Sequence, residues 1–193
     1  MGDDGIELEF PARIAALLAA ATRSTPAYFM HGNRDFMVAS RFGEATGVRL
    51  IPDPTVIDLY GERTLLMHGD TLCTDDRAYL AFRAQVRDPA WQAAALARPL
   101  GERIAIARGM RERSEGAKGA KEEAIMDVAP EAVEAAFAAS GCRVLIHGHT
   151  HRPARHEHEA DGRACVRWVL PDWYEAGGYL EATPGGIRPV ALD

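Results

Sequence analysis

Three short apolar runs along the chain each close on a polar cluster built around glycine. Ala27-Tyr28-Phe29-Met30 ends in His31-Gly32-Asn33-Arg34-Asp35, Thr64-Leu65-Leu66-Met67 in His68-Gly69-Asp70, and Arg143-Val144-Leu145-Ile146 in His147-Gly148-His149-Thr150-His151-Arg152-Pro153. A short, continuous apolar run bounded by turn formers reads as a strand buried on both faces. The carboxyl ends of such strands open on a common crevice in α/β sheets, so the polar clusters are the place to look for chemistry. Around these runs, Ile14, Leu17, Leu18 and Ala21 recur at helical spacing after Pro11, predicting an amphipathic helix that stops near Ser24-Thr25-Pro26. Residues 36–46 predict a helix ended by Gly47, and 48–51 and 55–60 predict strands around Pro52-Asp53-Pro54. Residues 75–113 are rich in helix formers and arginine, and Pro89, Pro99 and Gly101 divide them into two or three helices. Pro130 opens an alanine-rich helix that ends at Gly141, and 164–170, 178–182 and 187–192 predict strands that complete a sheet. His156 and His158 fall in a polar stretch for which no strand is predicted, and read as surface residues.

Composition narrows the class. At 193 residues the chain fits a single α/β domain with its own core. With 47% hydrophobic and 26% charged residues and no apolar run near the roughly 18 needed to span a bilayer, it reads as a globular cytoplasmic protein. The acidic start Met1-Gly2-Asp3-Asp4-Gly5 lacks the features of a secretory signal. Cys73, Cys142 and Cys165 are odd in number and form no CxxC pair, so they are expected to be reduced and mostly buried. The net charge of -6 is uneven: residues 77–121 hold ten basic and four acidic side chains, a net +6, so the remainder carries -12. Such a segment is either a solvated helical face or a surface for an anionic substrate or membrane. Nucleic acid is not expected, because only Tyr79, Phe82 and Trp91 interleave with these charges.

In an extended segment the imidazoles of His147 and His149 point to the same side, and neutral imidazole together with an Asn carbonyl oxygen suits divalent transition metals. A single histidine at a strand end is more often a hydrogen-bonded structural residue. The ordered set Gly-Asn-Arg-Asp, His-Gly-Asp and Gly-His-Thr-His, each behind an apolar strand, points to a metal site.

That order resembles the calcineurin-like metallophosphoesterases. The phrases His31-Gly32-Asn33-Arg34-Asp35-Phe36, His68 through Asp76, Ala124-Ile125-Met126-Asp127-Val128 and His147 through Pro153 are similar, more narrowly, to the UDP-2,3-diacylglucosamine hydrolases of lipid A biosynthesis. The resemblance implies a sandwich of two sheets flanked by helices, with residues 77–121 forming a helical lid over the substrate's acyl chains within one 1–193 domain. It implies metal ligation of two Mn2+ ions by Asn33, His68, His147 and His149. Asn33 and Arg34 would act at the phosphates in catalysis, with Asn33, Arg34, Asp76, Ser114, Lys118, Lys121 and His147 binding substrate; Lys118 stands where a reference pattern has Asn. The implied reaction splits the pyrophosphate of a UDP-linked diacyl glucosamine into UMP and a glycolipid 1-phosphate, on the cytoplasmic face of the bacterial inner membrane. His151 is expected to support the site without ligating metal.

The same resemblance calls for Asp-x-His and Gly-Asp-x-x-Asp/Glu ahead of these motifs, and neither occurs. The chain therefore reads as lacking its first strand units, roughly forty to fifty residues by the usual size of a βαβ unit. The missing carboxylates predict little or no activity for the chain alone. The alternatives are another calcineurin-like phosphoesterase, acting on nucleotides or phosphoproteins, and a non-catalytic metal-binding remnant.

Overall fold

A computed structural model describes residues 2–118, 127–174 and 177–192, with the side chains of 113–118 outside the description. The chain divides into two compact units, one of Met1–Pro52 and Arg77–Glu122, the other of Asp53–Asp76 and Glu123–Asp193.

The first unit contains α1 (Glu9–Ala21), β1 (Tyr28–Met30), α2 (Ser40–Thr46), β2 (Arg49–Ile51), α3 (Arg77–Arg87), α4 (Pro89–Leu96) and α5 (Leu100–Lys118). β1 and β2 pair in parallel, Tyr28 opposite Arg49 and Met30 opposite Ile51. The helix predicted from residue 36 begins only at Ser40, because the Asp3 carboxylate accepts the backbone N–H groups of Ala39 and Arg41 and fixes its first turn there. α2 ends at Gly47, whose φ of 72° and Thr22 neighbour exclude a side chain: a Cβ would lie 2.7 Å from Thr22 Oγ1. The predicted breaks at Pro89 and Pro99 separate α3, α4 and α5, and Asp88 caps α4 by accepting the Trp91 N–H at 2.8 Å. These helices are tied to the chain start by the buried Arg103, which pairs with Asp4.

The second unit is built on one mixed sheet in the order β3-β4-β5-β7-β6, comprising Thr55–Leu59, Glu62–Met67, Val144–His147, Arg163–Val169 and Ala154–Ala160 respectively. β4, β5 and β7 run parallel, and each edge strand pairs antiparallel with its neighbour. α6 (Pro130–Ser140) packs Val133 and Phe137, both fully buried, against Leu65, Leu145 and Cys165. The three cysteines are reduced and buried, as expected, and burial pushes the Cys73 thiol up to about 12, with Asp127, Asp70 and Asp76 adding to the effect. Strands β8 (Gly177–Thr183) and β9 (Gly186–Leu192) form a separate two-stranded sheet instead of completing the main one.

The stretch 154–160 corrects the sequence reading. It is β6, paired along its whole length with β7, and its polar residues alternate across the strand so that His156 and His158 are half-buried. A polar composition hid a period-two pattern whose inward positions are histidines.

α1 leaves Phe10 and Leu17 exposed, whereas Phe137 is sealed in the core of the second unit. Phe137→Ala is therefore expected to cost about 3–5 kcal/mol in urea denaturation. Leu17→Lys is expected to stay within about 0.5 kcal/mol of the parent while raising solubility.

Candidate active site

The Asn33 loop follows β1 in the first unit. Its shape is held by polar contacts: the Asp35 carboxylate accepts the Gly32 N–H, Arg87 donates to the Gly32 carbonyl at 3.0 Å, and His31 Nε2 donates to the Val38 carbonyl at 2.6 Å. Asn33 is half-buried and Arg34 is exposed. Arg87, whose guanidinium also stacks 5.7 Å from the Phe36 ring centroid, has no counterpart in the sequence reading because its place in the loop depends on α3 packing there.

In the second unit the parallel register Met67 opposite His147 brings two strand tips side by side. His68 donates its backbone N–H to Asp53 Oδ1 at 3.1 Å, and its carbonyl accepts the Gly148 N–H at 3.0 Å. Gly69, at φ 108°, sits so close to the neighbouring tip that a Cβ would lie 2.7 Å from His147 Nδ1 and 3.0 Å from the Gly148 carbonyl. His149 and His151 hold φ values of 68° and 56°, a region costly for residues with side chains and common where a backbone is shaped for function. This turn sets the His149 ring edge-on to His68, with centroids 5.0 Å apart.

His147 is not part of that pair. Its ring is fully buried, Nδ1 donates to the Gly148 carbonyl at 2.8 Å, and Nε2 accepts from Arg167 Nη1 at 3.0 Å. Both ring nitrogens are thus engaged, with a cation at the one bearing the lone pair, so His147 does not fit a metal-ligand or substrate-contact position. The two-residue spacing does put the rings of an extended segment on one side, but the left-handed residue at 149 breaks that geometry. Burial, countered by the Gly148 carbonyl and reinforced by the Arg167 charge, pushes the His147 imidazole down to about 4. Arg167 also donates Nε to His158 Nε2 at 3.2 Å, and burial draws the guanidinium below its ordinary range against the opposing charge of Asp127. Burial, then Arg167, likewise lowers His156 and His158.

Other expected residues are spread along the chain. Asp76 is half-buried at the end of the His68 phrase, with its backbone N–H on the Cys73 carbonyl at 3.3 Å. Ser114 and Lys118 lie on α5 with side chains outside the description, and Lys121 lies outside the described residues. His151 Nδ1 lies 3.3 Å from Asp172, a partner 21 positions away that no local motif announces. Asp127 accepts from Arg152 at 2.6 Å and from the Val128 N–H at 2.8 Å; burial pushes its carboxyl up, but these contacts outweigh it and leave it below the usual range.

Among the described residues no group of three or more His, Cys, Asp or Glu side chains gathers to hold a metal ion. The His68–His149 pair offers two imidazoles where a catalytic zinc-type centre uses three protein ligands and a dinuclear one more. The described donors therefore do not make up a two-metal centre.

An α/β protein with histidine-bearing turns at the ends of parallel strands is compatible with the phosphoesterase class. Comparison with known proteins is more specific. The chain is 50% identical to the UDP-2,3-diacylglucosamine hydrolase of Xanthomonas campestris pv. campestris, over 97% of this chain and 78% of that protein. It is 49% identical to the enzyme of that name from Xanthomonas axonopodis pv. citri, over 100% of this chain and 81% of the relative, and 48% identical to that of Stenotrophomonas maltophilia, over 96% and 78%. No family model matches. The chain belongs to the UDP-2,3-diacylglucosamine hydrolase family.

The depressed His147 makes stability depend on pH. A histidine whose folded pKa lies below its unfolded value supports the fold fully above pH 6.5, and that support is lost as pH falls through about 4. Between pH 7 and 4 this single group is expected to remove at most about 3 kcal/mol. His147→Gln, which keeps an acceptor for Arg167, is expected to flatten that part of the urea-denaturation profile.

Proposed function

We propose that this chain acts on UDP-2,3-diacylglucosamine, hydrolysing its pyrophosphate bond to UMP and 2,3-diacylglucosamine 1-phosphate in lipid A biosynthesis. The observation that carries this reading is identity of about 50% to enzymes of that name over nearly the whole chain. In the reaction a water oxygen bonds to one phosphorus, the P–O bond to the bridging oxygen breaks, and the water's two protons are shared between the products. Arg34, exposed beside Asn33, has the fixed fork of donors suited to stabilising phosphate charge. We assign phosphate contact to Asn33 and Arg34, substrate contact to Asp76, Ser114, Lys118 and Lys121, and manganese contact to Asn33, His68 and His149.

The lid reading draws support from the first unit. A cavity of about 310 Å³ there is lined by Phe36, Met37, Val38, Leu50 and Leu96, among others, an apolar wall directly after the Asn33 loop. Phe82 and Ile106 are exposed on the arginine-bearing helices α3 and α5, and Leu96 at the end of the uncharged α4 between them, a combination suited to acyl chains at an anionic membrane surface. No described helix is long and apolar enough to cross a membrane, so the contact proposed is peripheral, on the cytoplasmic face of the inner membrane.

The short donor set favours a second reading, in which the chain binds substrate without turning it over. The two readings part in one assay. Under the first, the purified chain with manganese releases UMP from UDP-2,3-diacylglucosamine but spares simple phosphoesters, and His149→Ala lowers kcat at least ~100-fold. Under the second, UMP release stays at the uncatalysed level while the substrate still binds in calorimetry. Equal turnover of simple phosphoesters would assign a different phosphoesterase. Val38→Trp, which fills the apolar cavity, is expected to raise KM or Kd for the diacyl substrate by ~10-fold or more and to leave UMP binding unchanged.

A further inference from the structure

A second cavity, of about 230 Å³ and lying wholly in the second unit, is lined by Asp127, Thr150, Arg152, His156 and Arg167 together with apolar side chains. Its charge is unusual for a recess. Arg167 is only 6% exposed, yet its two hydrogen bonds go to the neutral acceptors His147 Nε2 and His158 Nε2, and it makes no ion pair among the described residues. A buried guanidinium with an anion near it but none in ion-pair contact carries a desolvation cost that neutral acceptors offset only in part. Asp127, the carboxylate of the lining, is already engaged on both oxygens by Arg152 and the Val128 N–H. Among the described residues the lining thus holds two arginines against one satisfied carboxylate. It also contains Thr150 Oγ1, which is buried with no hydrogen-bond partner among the described residues.

We propose that this cavity is a binding site for a tetrahedral oxyanion of the phosphate class. The remaining Arg167 donors and the Thr150 hydroxyl supply hydrogen bonds to the oxygens, and the anion supplies the charge that Arg167 lacks. A volume of about 230 Å³ accommodates such an ion with water, at roughly 30 Å³ per water molecule. The site is independent of whether the chain hydrolyses UDP-2,3-diacylglucosamine. The ion is either free phosphate or the phosphate of a nucleotide such as UMP.

Calorimetric titration of the full chain with inorganic phosphate, and separately with UMP, at constant ionic strength tests this. Saturable binding of phosphate that Arg167→Gln weakens at least ~10-fold assigns the free ion, and the same result with UMP alone assigns the nucleotide phosphate. Circular dichroism reports whether Arg167→Gln remains folded. If it does not, Thr150→Val takes its place and is expected to weaken binding several-fold. Absence of saturable binding for both ligands overturns the proposal, as does unchanged affinity in a folded Arg167→Gln or, where that variant fails to fold, in Thr150→Val.

Discussion

The hydrogen bond from Arg167 to His147 is the contact on which the tip of the second unit stands. It joins the central strands β5 and β7 through their side chains, at a level where Leu170 already donates its backbone N–H to the His147 carbonyl at 2.7 Å. By occupying Nε2 it places the His147 proton on Nδ1, where it is given to the Gly148 carbonyl. That carbonyl lies beside Gly69, so the two strand tips are locked together with no space for a side chain at 69. Beyond this point the chain enters the left-handed turn that turns His149 toward His68. The pair expected to ligate metal thus rests on a buried histidine that is itself structural.

The lock has an electrostatic consequence. The face of the sheet under α6 carries apolar side chains at Leu65, Leu145 and Cys165, packed against Val133 and Phe137 of the helix, and, on β5, β7 and β6, a polar layer of His147, Arg167 and His158. Burial first, and the Arg167 charge after it, keeps the His147 and His158 imidazoles neutral, which suits them to accept the guanidinium N–H groups. The layer is satisfied in hydrogen bonds on its inner side and has excess positive charge where the recess at Thr150 opens. Stability and anion recognition are therefore properties of the same guanidinium.

Reading from residues to structure succeeded where the signal was local. Apolar runs of three or four residues became β1, β4 and β5, proline and glycine divided the helices at Pro89, Pro99, Gly47 and Gly141, and the cysteines were buried as thiols. It failed where a side chain's role depends on a partner remote in sequence. His156 and His158 looked solvent-facing because strand β6 has polar residues on its inner face; the reason lies in Arg167 on the neighbouring strand and Phe137 on α6. His147 looked like a ligand because of its spacing from His149, and spacing says nothing of a guanidinium 20 residues further on.

The sequence alone determined the α/β class, the histidine-bearing strand tips, and the family, since motif order and apolar periodicity are properties of the chain read in one dimension. Which histidines of those tips meet was decided only in three dimensions. Register between β4 and β5, the left-handed backbone at 149 and the buried Arg167 sorted three chemically identical imidazoles into one that holds the tip and two that face each other. Imidazole is equally able to ligate, donate or accept, and its role is set by the nearest charge and the nearest carbonyl, which only packing brings into contact.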